Sequence, residues 1–112
     1  MVSRDLVGAS TIPIVLAILS RGESYGYAIL KEVEEVSGGR LAWSDAMLYQ
    51  VLHRLEKRAL VRSSWRPTPK GRDRKYYALT KKGEAELLKH RREWKVVDAT
   101  LEKLCEESPL VD

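Results

Sequence analysis

Cysteine occurs once and histidine twice in this chain of 112 residues. A lone cysteine, Cys105, excludes an intramolecular disulfide framework and any Cys-rich zinc site. Two histidines, His53 and His90, exclude a His-rich metal cluster, so neither a metal nor a cofactor is expected. Long hydrophobic runs are missing too. The longest, Ile12 to Leu19, has eight residues and includes Pro13, whereas a membrane span needs about 20. No basic start followed by an apolar stretch and a small-residue cleavage site is found at the N-terminus, so a cytoplasmic protein is the simplest expectation. GxSxG, P-loop and HExxH patterns are absent, and the scattered Ser, His and Asp residues form no nucleophilic constellation; an enzyme is not expected.

What is present is a chain with 44% hydrophobic and 32% charged residues. That apolar fraction excludes a disordered chain. The length suits one domain with a modest core that a second subunit would help to cover. Net charge is +4, and its distribution says more than its sum. Arg62, Arg66, Lys70, Arg72, Arg74 and Lys75 lie within one short segment against a single acid, Asp73. Glu23, Glu32, Glu34 and Glu35 against Lys31 make an acidic stretch, and the C-terminal dozen residues are acidic as well. A polyanion is the natural partner of the basic segment.

Local patterns divide the chain. A first apolar helix is expected from about Ser10 to Ser20, capped by Thr11 with Pro13 in its first turn. Ser24 starts a second helix to about Ser37, with Ile29, Val33 and Val36 on one face and Gly38-Gly39 ending it. Ser44 caps a third, with Asp45 at its positive end and Leu48, Val51, Leu52 and Leu55 as its apolar stripe. The period then changes to two. Val61, Ser63 and Trp65 alternate with Arg62, Ser64 and Arg66, a Pro-Thr-Pro-Lys-Gly segment intervenes, and a second run spans Lys75 to Thr80; together these read as a β-hairpin. Thr80 caps a last helix reaching toward Glu106. Leu87, His90, Trp94, Val97, Leu101 and Leu104 recur on it at three-four spacing, a seam with more apolar surface than a small domain can cover.

The expected fold is therefore mainly α with a small β-hairpin: a winged helix-turn-helix over residues 1–80, followed by a long C-terminal dimerisation helix over 81–112. In that arrangement the third helix is the one offered to a DNA major groove. With its core stripe removed, Ser44, Ala46, Tyr49, Gln50, His53 and Lys57 remain as candidate contacts. Gln suits adenine edges, and Tyr can reach a phosphate or a thymine methyl. The hairpin supplies Arg66, Lys70, Arg72, Arg74 and Lys75 for phosphates or a minor groove. A competing reading of the same elements is a winged-helix protein-interaction module that binds no DNA, since fold does not fix function.

Three blocks occur in order: SYGYAILKEVEE (Ser24 to Glu35), LYQVLHRLEKRALV (Leu48 to Val61) and GRDRKYYALTKKGEAEL (Gly71 to Leu87). Jointly they closely resemble the PadR family of bacterial transcription regulators, in the compact subgroup with a single C-terminal helix. The resemblance implies a homodimeric repressor on a palindromic operator. The helix holding Leu48 and Tyr49 would enter the major groove, the wing around Gly71 to Lys75 would reach the flanking minor groove or backbone, and the C-terminal helix would make the dimer. It also implies that a small aromatic or drug-like effector releases the DNA. Three positions depart from the family pattern: Met47 replaces a usual Gly, Gln50 replaces a common Pro, and Ala59 replaces the Gly of a Gly-Leu-Val turn. Met47 and Gln50 fall where the helix would meet DNA, and Ala59 would be strained if its backbone demands a positive φ.

The remaining marked residues have plainer readings. Tyr25, Gly26 and Tyr27 are expected to pack, Gly26 permitting a close approach. Tyr76 and Tyr77 divide between wing support and core, and Trp65 is expected to cover the base of the wing. Trp43 is either an exposed staple or a partner contact. Trp94 is either plain interface core or the aromatic wall of an effector pocket between subunits. His90 fits as a polar layer of the seam, and Cys105 as a small residue near its end.

Overall fold

The computed structural model describes residues 2–111. Helix α1 (Arg4–Ser20) leads to a two-residue strand β1 (Ser24–Tyr25), then α2 (Gly26–Val36) and α3 (Asp45–Lys57). The hairpin β2 (Val61–Pro67) and β3 (Asp73–Leu79) follows, and α4 (Lys81–Glu106) closes the chain. β3 is central in an antiparallel sheet of order β1-β3-β2. This is the winged helix-turn-helix order with one long helix appended.

The core lies where α1, α2 and α3 meet the base of the sheet. Val15, Leu16, Leu19, Ile29, Leu48, Leu52, Leu55, Leu60 and Val61 are buried there, with Tyr77 reaching in from β3. The α3 stripe is the expected one, and Ser44 caps that helix by accepting from Met47 N–H at 3.1 Å. Thr80 likewise caps α4 by accepting from Gly83 N–H at 3.0 Å. A Cβ on Gly83 would overlap the Leu60 carbonyl oxygen, so the absence of a side chain lets α4 leave the sheet tight against the α3–β2 corner. Leu87, one turn further on, packs against the core.

Three expectations are corrected. α1 begins not at Ser10 but at Arg4, capped by Ser3. Thr11 lies inside it, buried, its hydroxyl donating back to the Val7 and Gly8 carbonyls at 3.0 and 2.9 Å. A threonine satisfied this way looks like a cap in sequence yet suits a helix interior. Pro13 is consequently an interior residue, not a first-turn one. The second correction is that Ser24 and Tyr25 do not open α2. They pair with Tyr77 and Tyr76 as β1, and the helix starts at Gly26. Third, Trp43 is neither an exposed staple nor a surface open to a partner contact: it is 9% exposed and belongs to the core, with its indole N–H lacking a hydrogen-bond partner among the described residues.

Candidate nucleic-acid interface

α3 buries one stripe and turns the other outward. Ser44, Ala46, Tyr49, Gln50, His53 and Lys57 are all on its open side, as is Arg54 beside them. Tyr49 is the fixed member of this set. Its hydroxyl lies against Gly26, where any Cβ would overlap it, so the start of α2 cradles the ring and limits its rotamers. Gln50 and His53 have no side-chain hydrogen bond among the described residues.

The wing is an antiparallel ladder from Val61↔Leu79 to Pro67↔Asp73. Its turn is closed by Thr68, whose hydroxyl donates to the Arg72 carbonyl at 2.6 Å, and by Gly71 at a φ of 86°. Lys70 and Arg72 stand at this tip, exposed and in no ion pair among the described residues.

The other three expected wing cations are engaged within the chain. Arg66 forms a two-pronged pair with Glu23, one prong at 2.7 Å, and its guanidinium lies 4.9 Å from the Tyr76 ring centre. Arg74 stacks 4.0 Å over Tyr25 and points to the Tyr76 hydroxyl at 3.5 Å, and Tyr25 meets Tyr76 edge to face at 5.4 Å. These rings and cations form one continuous stack that fastens β1 to the wing. On the opposite face Lys75 pairs with Glu56 at 3.5 Å and lies 5.9 Å from the Trp65 ring and 5.5 Å from that of Tyr77. The Ser63 hydroxyl donates to the same Glu56.

The electrostatic consequences are mutual. The Arg66 hydrogen bond holds the Glu23 carboxyl below the ordinary carboxylate range, and Glu23 raises Arg66 in return. The Ser63 hydrogen bond, reinforced by Lys75, does the same for Glu56. Arg74 is raised chiefly by its hydrogen bond with Tyr76, and burial pushes the Tyr77 phenol up.

Trp65 does not cover the wing's base, contrary to the expectation from sequence. It pairs with Lys75 on the core-facing side of the ladder but lies outside the core cluster, and it is largely exposed. Tyr27 is exposed as well. Both line the trough between α3 and the wing, together with Tyr49, Lys70 and Arg72. The sequence marks both residues, Tyr27 within the Tyr-Gly-Tyr block and Trp65 within the alternating strand run, but the reading of both as packed is corrected by their exposure.

Sharing no lining residue with the trough, an apolar groove of about 410 Å³ between α1 and α4 is lined by Leu6, Pro13, Ile14, Leu41, Leu87 and Trp94 among others. Leu87, His90 and Trp94 are half-buried, His90 facing Glu86 at 3.3 Å. Val97, Leu101 and Leu104, further along the same stripe, are exposed, whereas Cys105 is half-buried.

Three helices, a basic hairpin and an outward-facing third helix define a winged helix-turn-helix protein. The profile of the transcriptional regulator PadR-like family matches residues 15–89, which is most of the chain, and the protein belongs to that family. It is a transcriptional regulator of the PadR type, in a family of regulators rather than enzymes. An uncharacterised protein of Lysinibacillus sphaericus is 30% identical over 108 residues, covering 93% of this chain and 99% of its own length. The transcriptional regulator YqjI of Escherichia coli is 28% identical over 92 residues, which span 82% of this chain and 42% of that longer protein. Among solved structures, a transcriptional regulator from Clostridium thermocellum superposes with a TM-score of 0.85 at 26% identity, over 92% of this chain and 97% of the other. A PadR-family regulator from Eggerthella lenta superposes with a TM-score of 0.81 at 29% identity, over 93% and 88%. No helix among the described residues is long and apolar enough to cross a membrane.

Proposed function

We propose that this regulator is a repressor that binds a palindromic operator as a homodimer. Residues 1–80 form the DNA-binding unit, and residues 81–112 hold the two subunits together. The observation that carries this reading is the exposed outer face of α3, adjoining a wing whose tip cations are uncommitted. Gln50 and His53 read base edges, with Ala46 against a thymine methyl and Tyr49, Ser44 and Lys57 at the flanks. Lys70 and Arg72 meet phosphates directly. Arg66, Arg74 and Lys75 contribute positive potential from their paired positions and exchange partners only at the expense of Glu23, Tyr25 or Glu56.

The dimer rests on α4. Val97, Leu101 and Leu104 cover nothing in their own subunit, and the apolar groove between α1 and α4 offers a reciprocal surface; a second copy satisfies both at once. Trp94 lines that groove and serves as the aromatic wall for a flat effector. An effector that favoured a dimer geometry with misplaced α3 helices would release the operator.

Selection of bound duplexes from random DNA tests the proposal, followed by titration of the enriched duplex at several salt concentrations. A two-fold symmetric site is expected. Arg72→Ala should weaken binding and flatten the plot of log affinity against log salt by about one unit for each phosphate that is no longer neutralised. A protein that enriches no sequence, or an Arg72→Ala variant that binds with unchanged affinity and slope, overturns it and favours a protein-interaction module on the same fold.

A further inference from the structure

The exposed aromatic residues of this molecule are not scattered. Tyr27, Tyr49 and Trp65 are 67%, 51% and 64% exposed, and all three line the single trough between α3 and the wing. The exposed large aliphatic residues lie elsewhere, on α1, α2, α4 and the C-terminal segment, and none of them lines the trough. The trough also carries Lys70, Arg72 and Lys75 and encloses about 600 Å³.

A lone exposed tryptophan needs no explanation, but this one shares its trough with two other exposed rings and several cations. Its strand has run past the core, its cross-strand neighbour is Lys75, whose ammonium lies 5.9 Å from the ring centre, and the residue is still 64% exposed. That one cation contact leaves most of the residue in water. The proposed aliphatic dimer surface lies on α4 and the α1–α4 groove, neither of which contributes to the trough, so α4 of a second copy seated there would not cover it. An aromatic face set among cations suits the sugar-phosphate strand of a nucleic acid, whose flat or weakly polar rings alternate with phosphates.

We infer that Trp65, with Tyr27 lining the same trough, is a direct DNA contact that packs against a deoxyribose or an edge-exposed base of the operator strand passing between α3 and the wing. This rests on the proposed DNA binding and adds to it a sequence-tolerant, uncharged component. Phosphate pairing by Lys70 and Arg72 depends strongly on salt. Ring packing by Trp65 does not. The two contributions are therefore separable in one titration.

The experiment uses the full chain and the duplex enriched by the wild-type protein. Trp65→Ala should bind roughly tenfold or more weakly, with the wild-type salt slope. Trp65→Phe should keep most of the affinity. DNA should also change the wild-type tryptophan emission in a way that is lost in Trp65→Phe, since Trp43 and Trp94 lie away from the trough. Circular dichroism checks that both variants remain folded. If Trp65→Ala binds as tightly as wild type, or the DNA-induced emission change persists in Trp65→Phe, the inference is wrong while the DNA-binding reading stands. If the wild-type protein enriches no duplex at all, both fall together.

Discussion

The two exposed faces of this small regulator are built from different kinds of apolar surface. The trough between α3 and the wing holds aromatic rings and cations and no exposed aliphatic side chain. The α1–α4 groove is mostly aliphatic, with Trp94, Ser10 and Arg91 also in its lining, and the stripe beyond it is Val97, Leu101 and Leu104. Aliphatic surface has no preferred direction and is best covered by more of the same, so it suits a second copy of the chain. Rings and guanidinium groups offer faces, edges and charge, which suit a polyelectrolyte with alternating flat and anionic parts. On the proposed reading, the chain would separate adhesion to itself from adhesion to its target by side-chain chemistry, and each face can be tested without disturbing the other.

The largest effect is expected from the aliphatic face. Leu101→Asp places a charge in the middle of the seam. Leu101 is exposed in its own subunit, so the variant should stay folded but sediment as a monomer. Its operator affinity should drop by about a hundredfold or more, because two linked half-sites become one. A stable dimer in this variant would show that α4 is not the adhesive element.

How far such faces can be foreseen depends on whether local pattern decides them. The outer face of α3 is legible because its apolar stripe is strongly periodic and flanked by a capping serine, and α4 is legible for the same reasons at Thr80. The start of α1 is not, since that helix is apolar around most of its girth and Thr11 imitates a cap while bonding backward to Val7 and Gly8. β1 is invisible to pattern because two residues show no alternation; it is a strand only by virtue of pairing with Tyr76 and Tyr77. The basic wing is visible as composition, but the partnership of Arg66 with Glu23 joins positions on different elements, and no local rule predicts it. Charge counting therefore treats the cations of this segment as equivalent, whereas Arg66, Arg74 and Lys75 are engaged within the chain and Lys70 and Arg72 at the tip are in no ion pair among the described residues.

That distinction can be sharpened at Glu23. The carboxylate occupies the guanidinium of Arg66 much as a phosphate would, so Glu23→Gln should free Arg66, tighten operator binding a few-fold and steepen its salt dependence. Weaker binding by this variant would mean instead that the pair is a strut holding the wing in position. The same pair has a pH signature. Glu23 is lowered in the folded chain, so its contribution to stability is fully present above its ordinary value of 4.5 and is lost as pH falls through the lowered folded value. Acid unfolding of Glu23→Gln should be less steep than that of wild type in that window, with stability at neutral pH little altered, as befits an exposed pair.

The smallest effect concerns the corner between the two faces. Ala59 joins α3 to β2 with a φ of 60°, in the left-handed region where a Cβ crowds the following carbonyl. The corner is held firmly nonetheless. Leu60 N–H donates to the Leu55 carbonyl at 2.9 Å, and the Thr80 hydroxyl donates to the Ala59 carbonyl at 2.7 Å, so the residue has no freedom to relax toward a negative φ. Ala59→Gly removes the crowding but also loosens the unfolded chain, and the two oppose each other. The steric relief is the larger, so the variant should gain up to about 1 kcal/mol, seen as a melting temperature raised by a few degrees. Because Ala59 itself lies on neither exposed face, operator affinity and sedimentation should match wild type. A gain in stability accompanied by altered DNA affinity would show that strain at this corner sets the angle between α3 and the wing, and that the two halves of the trough are mechanically coupled through it.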